Sequence, residues 1–188
     1  VMRDGTPSYI ILAQVEFNEG TPETYQIPVA FGTRDVARDI RQEYPHLVMA
    51  EFSLEEEEGI VFDAVCSEEF RQILFDMIVR RRRIKGENGQ LLATRARSFK
   101  GALMGMEQPT DTRLLRAEQS NTSVLYGDSF ILKLYRKLEP GINPDAEVGR
   151  MLTEKARFEH TPTYQGGLNY RPPKGHDYDL VILQDYVS

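Results

Sequence analysis

The stretch that decides the fold is SNTSVLYGDSFILKLYRKLEPGINPDAEVGRML, Ser120 to Leu152. At its centre lies FILKLY, a strand-like apolar run with one lysine in the middle. A lone ammonium is costly to bury, so it needs a carboxylate, a phosphate or a route to water. Strand alternation places Phe130, Leu132 and Leu134 on one face and Ile131, Lys133 and Tyr135 on the other. Lys133 therefore leaves the core face intact and projects from the opposite one.

The flanking sequence supplies the rest of a small unit. RLLRAEQSNTSVLYGDSFILKLYRK reads as strand, polar loop, strand, Gly127-Asp128 turn, strand. EPGINPDAEVGRMLTEKARF reads as loop into helix, with Asn143 as N-cap, Pro144 as first helical residue, and Asp145 and Glu147 in the first turn. Met151 falls one turn beyond Glu147 on the same side. TYQGGLNYR and YDLVILQDYV are two further strands across a PPKGHD turn. The order is β-β-β-α-β-β.

The upstream half is also β-rich. YIILAQVEF and TYQIPVAFG form a hairpin around NEGTPE, a short polar helix follows over residues 33–43, and LVMAEFSL and GIVFDAV are strands around an acidic loop. Ser67 to Arg81 is amphipathic, with Ser67 as cap, Glu68 and Glu69 complementing the dipole, and Phe70, Leu74 and Met77 or Ile78 at helical spacing. Asn88-Gly89 marks a second hairpin. On its return arm Leu92, Thr94, Ala96 and Ser98 share one side, and Leu91, Ala93, Arg95 and Arg97 the other. Residues 104–112 read as a linker. The fold expected is α+β: an antiparallel β-rich N-terminal region over residues 1–107, then the β-β-β-α-β-β unit over residues 108–188, which the order of its charged residues and the resemblance given below imply to be a kinase-like small lobe after an N-terminal cap.

Composition narrows the class. The 188 residues are 40% hydrophobic and 28% charged, enough for a core in a soluble chain. No apolar run approaches the about 20 residues that span a bilayer, and no secretory pattern opens the chain. The single Cys66 fits a reducing cytoplasm and reads as a core residue. A net charge of −6 argues against general nucleic-acid binding. Residues 80–100 hold eight Lys/Arg and one Glu, and residues 51–58 hold five Glu. The basic run lacks aromatic stacking partners and reads as a solvated strand face paired with Glu55 to Glu58 or other acids.

A phosphate site needs a cation, a loop that approaches the phosphates, and a carboxylate that holds the cation. Lys133, the loop Gln119 to Thr122, and Glu147 supply these in the chain order of the protein-kinase small lobe. Taken singly, Lys133 reads as a solvated strand lysine and Glu147 as a dipole-complementing helix start. Their order together points to the site.

EQSNTSVLYGDSFILKLYRKLEPGINPDAEVGRMLTE resembles the small-lobe signature of the maltokinase family, including maltokinases fused to trehalose synthase. TYQIPVAFG, FDAVCSEEFRQILFDMI and the arginine-rich hairpin before GENGQL resemble that family's N-terminal cap. The resemblance implies an aminoglycoside-phosphotransferase-like fold and transfer of the ATP γ-phosphate to the anomeric hydroxyl of maltose. It implies that Lys133 binds the α/β-phosphates, that Glu147 orients it, and that Ser120, Asn121, Thr122 and Ser123 form the covering loop. That loop lacks the glycines of G-x-G-x-x-G. Gln184, Asp185, Tyr186 and Val187 would be the hinge whose backbone meets adenine.

The catalytic H-G-D-x-H pattern and a later metal-binding aspartate do not appear; His176-Asp177 sits in a turn without the following residues. His46 and His160 read as surface or capping residues. No catalytic or metal-ligating residue is therefore expected here. The large helical lobe, with the Mg2+ ligands, is expected to be absent, and the chain alone is expected not to transfer phosphate. The expected partners are ATP and maltose in the full-length protein, with a fused trehalose synthase domain, and neither nucleic acid nor membrane. Two other readings stay open. One is a non-catalytic docking region of a trehalose synthase fusion. The other is a related small-molecule kinase, because the small lobe does not fix the acceptor.

Overall fold

The computed structural model describes residues 7–54, 57–97, 99, 111–115, 120–158 and 160–187. The first hairpin pairs β1 (Tyr9–Val15) with β2 (Glu23–Thr33), and Gly20 turns the chain between them at φ +112°. The polar helix α1 (Arg34–Glu43) follows, then β3 (Val48–Leu54) and β4 (Glu57–Asp63). These strands form an antiparallel sheet in the order β1-β2-β4-β3. On β1, Ile10 and Leu12 pack against the core while Tyr9, Ile11 and Val15 are exposed, the alternation that strand geometry requires.

Helix α2 (Glu68–Val79) starts as its sequence predicts, with the Ser67 hydroxyl accepting from the Phe70 amide. The expected Phe70, Leu74, Met77 and Ile78 are buried, and so are Arg71 and Phe75. The extra burial has a simple cause: α2 is covered on more than one face. Phe70, Leu74 and Met77 share a cavity of about 380 Å³ with Ile10 and Leu12 of the first sheet. Phe75 stacks on Tyr126 at 4.8 Å between centroids and packs against Phe99 and Phe130.

The second sheet holds β5 (Arg83–Gly86), β6 (Gly89–Arg95), β7 (Thr112–Leu114), β8 (Asn121–Tyr126), β9 (Phe130–Tyr135), β11 (Tyr164–Arg171) and β12 (Tyr178–Asp185). Their order is β5-β6-β11-β12-β9-β8-β7, antiparallel throughout. Between β9 and β11 lie the two-residue β10 (Lys137–Leu138), helix α3 (Pro144–Arg150) and a π-helical turn, Met151–Ala156. Both sheets take strands from either side of residue 107: β5 and β6 join the second sheet through β11, and β10 joins the first through β2. Residues 104–110 of the expected linker lie outside the described residues, and Thr112 already belongs to β7.

The basic run is largely solvated, as expected, with Arg80, Arg81, Arg82, Arg83, Lys85 and Arg97 exposed, and among the described residues its ion pair is to an acid other than Glu55 to Glu58. Arg95 donates to the carbonyl of Val79 at the end of α2, where a cation favours the helix dipole. Arg80 pairs with Asp76. Glu57 pairs with Arg34 at the start of α1, not with the arginine run, because β4 and the run belong to different sheets. Glu55, Glu56 and Ser98 lie outside the described residues. Cys66 is buried, as expected of a core residue. No helix among the described residues is long and apolar enough to cross a membrane.

Candidate functional site

Lys133 sits on the predicted face. Phe130, Leu132 and Leu134 of β9 are fully buried, while Ile131 and Lys133 are half-buried. Direct cross-strand partners share a face. Lys133 therefore stands in a row with Ser123 of β8, Ile182 of β12 and Gly167 of β11. A Cβ on Gly167 would lie 2.7 Å from the Val181 carbonyl oxygen, so only glycine leaves that place open. The next row is Arg113, Leu125, Ile131, Gln184 and Tyr164. Together these rows make a floor of isoleucine and leucine flanked by two cations, Lys133 and Arg113, and two hydroxyls, Ser123 and Tyr164.

Helix α3 crosses this face. Its start is built by a side chain from elsewhere in the sheet. The ladder between β11 and β12 slips between Leu168 and Asn169, leaving Leu180 without a partner in it. Such a bulge re-aims the side chains beyond it. Leu180 then lines the α2 cavity, and Asp179 comes round to the α3 side. There its carboxylate accepts from the Asn143 amide at 2.7 Å and from the Asn169 side chain. Burial pushes the Asp179 carboxyl up from its ordinary value, against the pull of the Asn143 amide and the Arg150 charge. The Asn143 side chain caps the helix as predicted, accepting from the Asp145 amide at 2.9 Å. Ala146 and Gly149 face inward; a methyl on Gly149 would meet the Gln184 amide at 3.4 Å. Arg150 lies over the Tyr164 ring at 5.2 Å and donates to its hydroxyl.

This packing places Glu147 outward. Glu147 and Met151 share a side, as the spacing predicts, and that side is exposed. Among the described residues no ion pair joins Glu147 to Lys133, and none holds Lys133 at all. The inner positions of α3, Ala146 and Gly149, lie one residue before and two after Glu147, so helical phase turns Glu147 outward.

The expected covering loop is shorter than its four residues suggest. Asn121, Thr122 and Ser123 belong to β8 because they pair with Tyr135, Leu134 and Lys133. Ser120 is exposed at the strand's entrance, its carbonyl taken by the Arg136 amide. By alternation Asn121 and Ser123 share the Lys133 face. Thr122 is on the other, with its hydroxyl accepting from Arg136 at 2.8 Å. Gln119 lies outside the described residues.

At the far end of β12, Gln184 lines the Lys133 face. The amides of Asp185 and Tyr186 are already used, by the carbonyls of Thr163 and Ser129. The Asp185 side chain accepts from Gln165 at 2.6 Å. Among the described residues the amide of Val187 has no backbone partner, and its side chain is exposed. Arg113 was missed by sequence reasoning. Its place on this face follows only from the β7–β8 register, and its own strand is too short to show an alternation. Among the described residues no group of three or more His, Cys, Asp or Glu is arranged to hold a metal ion.

No protein-family model matches the chain. A solved structure of a glucosamine kinase, in complex with glucosamine, ADP and inorganic phosphate, is similar to it with a TM-score of 0.51 and 14% identity. The match covers 96% of this chain and 36% of that one, so the chain spans about a third of the length of the kinase it resembles. At this identity the likeness is one of fold: mostly antiparallel sheets with few helices, matching a kinase-like small lobe at the coarse level.

Proposed function

We propose that the chain is the nucleotide-binding part of an ATP-dependent sugar kinase, and that its acceptor is maltose, which becomes maltose 1-phosphate. The observation that carries this reading is Lys133: a half-buried cation without an ion pair, on an apolar floor, in a fold shared with a kinase solved with ADP. Maltose rests on the sequence resemblance over Glu118 to Glu154.

ATP fits the residues present. The ammonium of Lys133 would meet the phosphates, with Ser123 and Asn121 as hydrogen-bonding neighbours and Ser120 at the strand entrance. Ile131, half-buried, offers apolar surface to the base with Ile182 buried beside it, and the Val187 amide is the hinge donor left open. Glu147 would hold Lys133 after a change in the packing of α3. ATP would supply the γ-phosphate: the phosphorus would gain a bond to the anomeric oxygen and lose its bond to the ADP oxygen, and the hydroxyl proton would pass to water, since no base is assigned among the described residues. This chain's residues bind and orient. The Mg2+ that the resemblance implies finds no ligand set among the described residues, and no step is assigned to it.

Calorimetric titration with ATP tests the reading. The chain should bind, and Lys133→Met should weaken ATP at least about tenfold, the scale of a lost charge-assisted contact. The melting temperature should stay within about 2 °C, because Lys133 has no ion pair to lose. Equal ATP affinity in both proteins would overturn it. Maltose-dependent ADP release by the complete gene product, set against glucosamine, tests the acceptor.

One observation favours a second reading, docking to a fused trehalose synthase domain. The outer face of the first sheet exposes Tyr9 (52%), Ile11 (47%) and Phe31 (37%), and Tyr9 and Phe52 meet Phe31 edge-on. An apolar patch of this kind marks an interaction surface. Ile11→Glu would abolish co-purification of the two domains under this reading and leave ATP binding unchanged.

A further inference from the structure

Two arginines tie one hairpin of the second sheet to one turn of the first. Arg71, almost fully buried in α2, donates to the carbonyls of Val65 and Cys66 at 2.8 Å each and to the Thr112 hydroxyl at 2.8 Å. The Tyr126 hydroxyl closes the group by donating to the Arg71 carbonyl. The start of β7 and the end of β8 are thus fixed to residues 65 and 66.

Arg136 does the same for the start of β8. Its guanidinium pairs with Asp63 at 2.7 Å, with the two side chains only 22% and 7% exposed. The other Asp63 oxygen accepts from the Val65 amide. Nε of Arg136 donates to the Thr122 hydroxyl, its amide to the Ser120 carbonyl, and its carbonyl accepts from the Gln26 amide of β2. One residue therefore engages β8, β2 and the end of β4. Thr122 lies between Asn121 and Ser123, whose side chains share the Lys133 face. Where those two stand is set from behind, by Thr122.

We propose that Arg136, anchored by Asp63, is a positioning residue for phosphate recognition, through which the first sheet sets the preference for a triphosphate over the bare nucleoside. This rests on the nucleotide reading above. Arg136 lies behind the face and acts through Thr122, so its loss should be felt at the phosphate end and not at the base.

The test is a pair of titrations, ATP and adenosine, on the chain and on Thr122→Val, Thr122→Ser and Asp63→Asn, each with a melting curve. Thr122→Val removes the acceptor at nearly constant volume. It should weaken ATP about fivefold, the scale of one hydrogen bond, and leave adenosine within about twofold. Thr122→Ser, which keeps the hydroxyl, should restore the ratio. Asp63→Asn should act like Thr122→Val; if it fails to fold, Thr122→Val decides alone. A parallel loss of ATP and adenosine would show a general structural role and overturn the proposal, as would an unchanged ATP-to-adenosine ratio. A wild-type chain that binds neither ligand overturns the nucleotide reading itself, and the positioning role with it.

Discussion

Cys66 shows how a single side chain records its surroundings. Burial pushes its thiol up to about 12 from the ordinary 9.0, and the Asp63 charge pushes the same way against Arg71 and Arg136. The fold thus prefers the protonated thiol. Its contribution to stability is fully present below pH 9 and is lost as pH rises toward 12. The thiolate is the reactive form, so at pH 8 the three-unit rise lowers its fraction about a thousandfold. Ellman's reagent should therefore modify the native chain at least about a hundredfold more slowly than the chain in guanidinium. Comparable rates would mean that the turn at residues 63–66 is open. Lys133 is the complementary case: a cation for which the fold supplies no counter-charge among the described residues.

Among the elements, α2 is the one on which both sheets close. Phe75 stacks on Tyr126 and touches two further aromatic rings, so Phe75→Ala should cost about 3–5 kcal/mol in urea unfolding. Ser67→Ala, which removes one cap bond, should cost about 1 kcal/mol. A Phe75 variant no worse than the cap variant would contradict this packing. The same elements show what was legible beforehand. The face of Lys133, the cap of α3 and the apolar stripe of α2 follow from period and local chemistry, and all three are present. The place of Asp179 was not legible. It depends on a bulge, and one extra residue reverses the face of everything beyond it without a mark in the composition. Burial of Arg71 was hidden for another reason: besides the nearby Val65 and Cys66 carbonyls, its partner Thr112 lies 41 residues away and is set by tertiary structure. The outward turn of Glu147 is decided by Ala146 and Gly149, small residues whose role appears only once Tyr164 and Gln184 are beside them.

Across the whole molecule, two sheets share strands from both ends of the chain. Removing residues 1–107 would take β5 and β6 from the second sheet, and α2 from against it, and expose the edge of β11. Removing residues 108–188 would take Arg136 and β10 from the first. Neither half should show a cooperative melt when expressed alone, and mixing the two should restore one. Two independent melts would establish autonomous domains divided at residue 107.

The most direct test of the proposed nucleotide face uses the isoleucine methyl groups as reporters. Ile131, half-buried, and Ile182, buried beside it, stand next to Lys133, whereas Ile60 and Ile78 are buried in the first sheet and in α2. In a methyl-labelled chain titrated with ATP, the first two signals should move together and saturate while the last two stay in place. Signals of Ile131 and Ile182 that do not move at saturating ATP, or shifts confined to Ile73 and Ile84 beside α2, would place the nucleotide elsewhere or nowhere on this chain.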